Sequence, residues 1–177
     1  MKLKALFLLV FLSASSFAQD TAFKFSKEGL TDFVVGTFDG SAKDIFKWTL
    51  EWVKENNKRP DAVKESTENQ KIVFQGFKEN FLCSKAGGTN VCSNAIYTIE
   101  VSIKDGKYKF DVTELDLKDK SGKGTKPNLS DFSEYYDKDG NLKKYMNDVP
   151  AAYEGLFNDL NKSLLTFLDK KKKAENW

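Results

Sequence analysis

The chain has 177 residues, 40% of them hydrophobic and 14% aromatic, which is enough to bury one core and too little for two. Its 28 basic and 26 acidic side chains nearly cancel, and Arg59 is the single arginine, so the excess positive charge on which nucleic-acid binding depends is missing. There is no histidine, which excludes imidazole-based serine and cysteine triads and the common histidine-ligated zinc and non-haem iron sites.

The first residues carry the parts of a signal peptide: Lys2 and Lys4, an apolar run from Ala5 to Leu12, and small residues approaching Ala18. Cleavage after Ser16-Phe17-Ala18 leaves Gln19 first. The run is about half of the ~20 residues a membrane-crossing helix needs, and no later segment is apolar enough to span. The expectation is a periplasmic or secreted product without a transmembrane segment, folded as a single domain over 19–177. Loss of the leader removes Lys2 and Lys4 and no acid, leaving 26 bases against 26 acids.

Phe23 and Phe25 lead to a strand at Phe33-Val34-Val35 that ends near Gly36 to Phe38, where Asp39-Gly40 turns the chain. Ser41 followed by Asp44 resembles a capping box with Asp in place of Glu, so a helix begins there. Ile45, Trp48 and Trp52, with Phe46, Leu50 and Val53, recur at helical spacing and predict one wide apolar face through about Glu55. Asn56, Asn57 and Pro60 end it. Val63 to Thr67 reads as a short strand before the Glu68-Asn69 turn, and Lys71 to about Leu82 as a longer one.

In Tyr97-Thr98-Ile99-Glu100-Val101-Ser102-Ile103 the odd positions are apolar and the even ones polar, as a strand covered on one side requires. Asp105-Gly106 predicts a two-residue type I′ hairpin, with Lys104 facing Lys107. Ile103 then meets Tyr108, Val101 meets Phe110 and Ile99 meets Val112 on one apolar face. If Cys83 and Cys92 lie directly opposite, the same arithmetic pairs Phe74 with Val101 and Ile72 with Ile103. It also sends Phe77 and Phe81 to the other face with the cysteines. Between about 118 and 147 the periodicity fades, and 121–127 reads as a mobile loop, followed by a short helical turn around Leu142 to Met146. Asp148 as N-cap, Pro150 in the first turn and a stripe of Tyr153, Leu156, Phe157, Leu160, Leu164, Phe167 and Leu168 predict a final helix over about 149–172.

This order of elements, with Asp44 to Trp52 on the helix and Ser102-Ile103-Lys104-Asp105-Gly106-Lys107-Tyr108-Lys109-Phe110 at the central hairpin, resembles a family of exported bacterial domains of unknown function. That family is described as having a fold like the TATA-box-binding protein (TBP). The resemblance covers roughly Val34 to Leu117 and implies an α+β, two-layer fold, a curved antiparallel sheet backed by an N-terminal and a C-terminal helix. It implies no activity, and DNA binding does not follow from the fold's name. The Cys83 to Cys92 loop and the Lys-rich stretch at 118–126 have no counterpart in the family pattern.

Two cysteines in an exported protein predict a Cys83–Cys92 disulfide, since no histidine is present to make either one a metal site or an activated nucleophile. No catalytic, metal or cofactor site is expected. Glu100 with Asp111 is the carboxylate pair that a hydrolase reading would use, set among lysines that explain it as a solvated face. Asp137-Lys138-Asp139-Gly140-Asn141 starts like a calcium loop, but Leu142 stands where the turn needs Gly and Asp148 where a bidentate Glu is usual, so a polar turn is expected. Gly87-Gly88 reads as a hairpin tip, Trp48 and Trp52 as core, and Lys170 to Lys173 as cations at a helix C-terminus, with membrane contact through them and Trp177 as the other reading. The function expected is a non-enzymatic envelope module contacting a protein, glycan or small ligand through its sheet or near Phe77 and Phe81. A carrier of an apolar ligand between helices and sheet is the alternative, and a carboxylate-based hydrolase the third.

Overall fold

The computed structural model describes residues 21–57, 59, 61–86 and 89–175. The leader with its cut after Ala18, Pro60, the Gly87-Gly88 tip and Trp177 lie outside the described residues. A small hairpin, β1 (Phe25–Ser26) with β2 (Gly29–Leu30), precedes β3 (Phe33–Thr37) and helix α1 (Ala42–Asn57). Then come β4 (Val63–Thr67), β5 (Lys71–Ala86), β6 (Thr89–Lys104), β7 (Lys107–Lys118), the two-residue β8 (Gly124–Thr125) and helix α2 (Val149–Glu175). The antiparallel sheet has the order β3-β7-β6-β5-β4, with β8 paired to the end of β7. Both helices cover one face, which gives the two-layer α+β architecture.

Helix α1 starts where the sequence says it should. The Asp44 amide donates to Ser41 Oγ at 3.1 Å, and the Ser41 hydroxyl donates back to the Asp44 carboxylate at 2.6 Å. A second cap comes from far away in sequence: the Ala42 amide donates to Asp105 Oδ1 at 2.7 Å. Two of the amides that a helix start leaves without partners are thus satisfied. Asp105 sits on the β6–β7 turn, so the cap also fixes the hairpin against the helix. The Gly106 amide donates to the Gly40 carbonyl and the Phe38 amide to the Gly106 carbonyl, each at 3.0 Å.

The β6–β7 register is the expected one, with Lys104 opposite Lys107, Ile103 opposite Tyr108, Val101 opposite Phe110 and Ile99 opposite Val112. The turn is not type I′, however. Gly106 has φ +78°, whereas among the described non-glycine residues only Asn69 and Asn80 have positive φ. Asp105 keeps ordinary φ because its carboxylate is committed to capping α1, and the loop from Phe38 to Gly40 holds the tip.

The expected β5–β6 register is corrected over half its length. Cys83 does face Cys92, but beyond them residues 79–81 of β5 oppose Asn94 alone, and pairing resumes at Lys78 with Ala95. Asn80 takes φ +50°, which asparagine tolerates, and its amide donates to Asn94 Oδ1 at 2.9 Å. Ile72 therefore pairs with Val101 and Phe74 with Ile99, not with Ile103 and Val101. A slip of two residues preserves facing, so both stay fully buried. The bulge also turns Phe81 inward, contrary to the expectation that it shares a face with Phe77, and its ring packs 5.3 Å from that of Tyr153.

The layer between sheet and helices is filled by large side chains. Trp52 meets Phe74 edge-on at 5.5 Å and donates its indole N–H to Ser163 Oγ on α2 at 3.1 Å, while Trp48 meets Phe38 at 5.9 Å. Two glycines make room for tyrosines on the facing strand: Gly36 pairs with Tyr108 and Gly76 with Tyr97. A Cβ at either glycine would lie 2.2 Å from the tyrosine ring. Tyr108 crosses Gly36 and donates its hydroxyl to Asn161 Oδ1 at 2.9 Å.

Helix α2 begins after Asp148, whose carbonyl accepts the Ala152 amide at 3.1 Å, and runs three residues beyond the expected end. It clasps the N-terminal segment: the Asn158 carboxamide accepts the Phe23 amide at 2.7 Å and donates to the Phe23 carbonyl at 3.0 Å, and Glu154 accepts the Phe25 amide at 2.8 Å. Phe25, Phe132 and Tyr135 stack face to face there, with Tyr153 edge-on to Phe25 and Phe132. The stretch 118–147 carries β8 and two short 3₁₀ turns, at Ser133–Tyr135 and at Lys144–Met146, the second within the span expected to form a helical turn. The Asp119 carboxylate accepts the Ser121 and Lys123 amides within it.

Candidate interaction face of the sheet

Because α1 and α2 lie on the same side, the other side of the sheet faces outward. Strand alternation decides what it presents. One row across the strands runs Glu65, Val73, Glu100, Asp111, Phe33, and the next runs Thr67, Lys71, Ser102, Lys109, Val35. The carboxylates of the first row meet the lysines of the second. Lys71 Nζ lies 2.7 Å from Glu65 and 3.9 Å from Glu100, and Lys109 Nζ lies 2.9 Å from Asp111. The hydrogen bond to Glu65, reinforced by both carboxylates, holds the Lys71 ammonium above its usual range.

Glu100 and Asp111, the pair on which a hydrolase reading rests, are directly opposite each other on this face. Each has a local partner: Glu100 accepts the Ser102 hydroxyl at 2.9 Å, and Asp111 accepts from Lys109. This is the hydrogen-bonded pattern of a charged sheet surface.

Apolar side chains interrupt the charges at both ends of the face. Phe77 is 50% exposed opposite the half-buried Ile96, and Phe33, on the edge strand β3, is 39% exposed. Of the two sequence candidates for contact, then, Phe77 lies on the outer face and Phe81, 8% exposed, belongs to the core. The structure does not bring them together. Beyond Phe77 the β5–β6 hairpin extends past the end of β7 at Lys118 as a two-stranded arm, with Val91 exposed and the Cys83–Cys92 disulfide joining its strands at a Cα separation of 4.0 Å.

The end near Phe33 holds a feature that sequence reasoning missed. Phe33, Val35, Ser102, Lys104, Lys107 and Lys109, with part of Tyr108, line a half-open depression of about 320 Å³. Lys109 Nζ lies 5.0 Å from the Phe33 ring centroid. The available signal was the alternation Lys107, Lys109 together with Lys104 across the turn. What the sequence could not give is the arrival of β3 beside β7, which supplies the apolar wall.

Two further motifs make internal contacts. The Asp137 carboxylate accepts the Asp139 and Asn141 amides at 3.0 and 2.9 Å, the geometry of a polar turn. In the C-terminal lysine run, Lys171 pairs with Glu51 and Lys172 with Asp39, tying the end of α2 to α1 and its entry loop. The Lys172 ammonium holds the Asp39 carboxyl below its usual range. Among the described residues, no helix is long and apolar enough to cross a membrane.

Residues 35–118 match the family described as a domain of unknown function, DUF4468, with TBP-like fold. The match spans the segment over which the sequence resembles that family. Among solved structures, a DUF4468 family protein from Bacteroides ovatus ATCC 8483 is similar at a TM-score of 0.63 and 15% identity, over 85% of this chain and 92% of that one. A TBP-like protein from Parabacteroides distasonis ATCC 8503 is similar at a TM-score of 0.48 and 13% identity, over 75% of this chain and 90% of that one. The fold is TBP-like, with an antiparallel sheet and two helices. No curated protein matches the chain.

Proposed function

We propose that this protein is a non-enzymatic binding or interaction module of the cell envelope, exported by its N-terminal leader, whose outer sheet face contacts a protein, glycan or small ligand. The observation that carries this reading is the composition of that face. An antiparallel sheet tolerates water on one side, and salt-bridged polar rows are what water contact requires. Exposed Phe33 and Phe77 at its ends are large apolar side chains beyond that requirement, set among polar residues that a partner could engage. The disulfide is compatible with an oxidising compartment outside the cytoplasm. The carrier alternative needs room between helices and sheet, where Trp52, Phe74, Tyr97 and Phe157 are packed.

The test is photo-crosslinking in the native cell from single positions. A crosslinker at Gln75 or Thr98, on the outer face, is expected to capture a discrete partner, whereas one at Thr166 on α2 is not. Adducts from Thr166 alone, or outer-face yields no higher than background, would overturn the reading.

A further inference from the structure

The depression beside Phe33 carries a charge arrangement that the fold alone does not explain. Lys104 and Lys107 flank the two-residue turn and stand directly opposite each other, both exposed. Like charges so placed repel and weaken a hairpin. Neither pairs with a carboxylate among the described residues, in contrast to Lys71, Lys109 and Lys118 of the same sheet. The nearby acids are engaged: Asp105 caps α1, Asp111 holds Lys109, and Glu100 is bonded to Ser102 and lies near Lys71. The depression therefore keeps two uncompensated positive charges at its mouth, next to the Ser102 hydroxyl and an apolar wall of Phe33 and Val35. Its volume of about 320 Å³ falls at the small end of the range for small-molecule sites.

We propose that this depression binds a small organic anion, a carboxylate or phosphate monoester carried on a flat apolar ring. Lys104 and Lys107 hold the charged group, and the ring lies against Phe33 and Val35. The anion relieves the Lys104–Lys107 repulsion, which gives the pair a purpose. Charge complementarity selects the anion over a neutral ligand, and the exposed Phe33 selects a ring-bearing anion over a bare one. The assignment rests on the reading of the outer face as the contact surface and names the chemistry of one end of it.

The experiment is an amide NMR titration of the purified protein with phenyl phosphate, with inorganic phosphate and benzyl alcohol as comparison ligands. Saturable shifts are expected at 33–37 and 102–109 with phenyl phosphate, at least tenfold weaker binding of inorganic phosphate, and weaker binding still of benzyl alcohol. The K104T/K107T double variant should bind phenyl phosphate at least tenfold more weakly while melting no lower than the parent, since it removes a repulsive pair. K170T/K173T, at the exposed end of α2, should bind as the parent does. Non-saturating shifts, equal affinity for phenyl phosphate and inorganic phosphate, or equal loss in the two double variants would overturn the proposal. Should outer-face crosslinking capture a partner while phenyl phosphate fails to bind, the ligand class falls and the module reading stands.

Discussion

The most consequential single residues are two glycines that composition alone would not single out. Gly36 and Gly76 lie under tyrosine rings, and Tyr108 is fixed by its bond to Asn161, so the ring has little freedom to withdraw. Gly36→Ala is expected to destabilise the protein by about 1–3 kcal/mol through overpacking, measurable by urea denaturation. A variant as stable as the parent would show that the ring moves freely. Tyr97 supplies a second residue-level test. Burial pushes its hydroxyl up to about 12 from an ordinary 10.0. The unfolded chain therefore releases this proton first, and the associated stability, complete below about pH 10, is lost as pH rises towards 12. Tyr108 and Tyr153 are shifted in the same direction by burial. Urea midpoints should fall between pH 10 and pH 12, and less steeply in Tyr97→Phe. These effects were not readable beforehand, because a glycine in a strand does not announce which ring crosses it.

At the scale of elements, local patterns were legible and long-range couplings were not. Ser41 with Asp44 identifies the start of α1, alternation identifies β6, and Asp105-Gly106 fixes the β6–β7 register, because each depends on residues near in sequence. The type I′ assignment failed for the opposite reason: Asp105 is held by Ala42, 63 positions away. Asp105→Ala should cost about 1 kcal/mol in thermal or chemical denaturation, as loss of a helix cap does. An unchanged midpoint would remove the helix–hairpin coupling from the account. The β5 register failed because the bulge at Asn80 lies between two correctly read stretches, the cysteines and the apolar run. That bulge moved Phe81 from the candidate surface into the core. Beyond it, residues 89–93 of β6 pair only with β5. A Cys83→Ser/Cys92→Ser variant should therefore lose at most about 2–3 kcal/mol. Amide exchange should quicken over 82–93 and stay slow at Ile99 and Val101. Quickened exchange throughout the sheet would mean that the disulfide holds the core as well as the arm.

For the whole molecule, the arrangement of layers sets the functional problem. Two helices on one side leave a five-strand face outward, and the chain's balanced charge appears there as interleaved Lys, Asp and Glu with apolar residues at the ends. Both helices were legible from periodicity, and the two-layer α+β class from the family resemblance. The proposed contact face was legible only in part, since Phe77 could be assigned from strand alternation while the Phe33 end required knowing that β3 lies beside β7. The most direct test of a contact role for this face is lysine-reactive footprinting of the protein in the cells that produce it against the purified protein. Lys71, Lys104, Lys107 and Lys109 are predicted to be protected in place, with Lys162, Lys170 and Lys173 on α2 labelled equally in both. Equal labelling of all seven, or protection confined to α2, would contradict it.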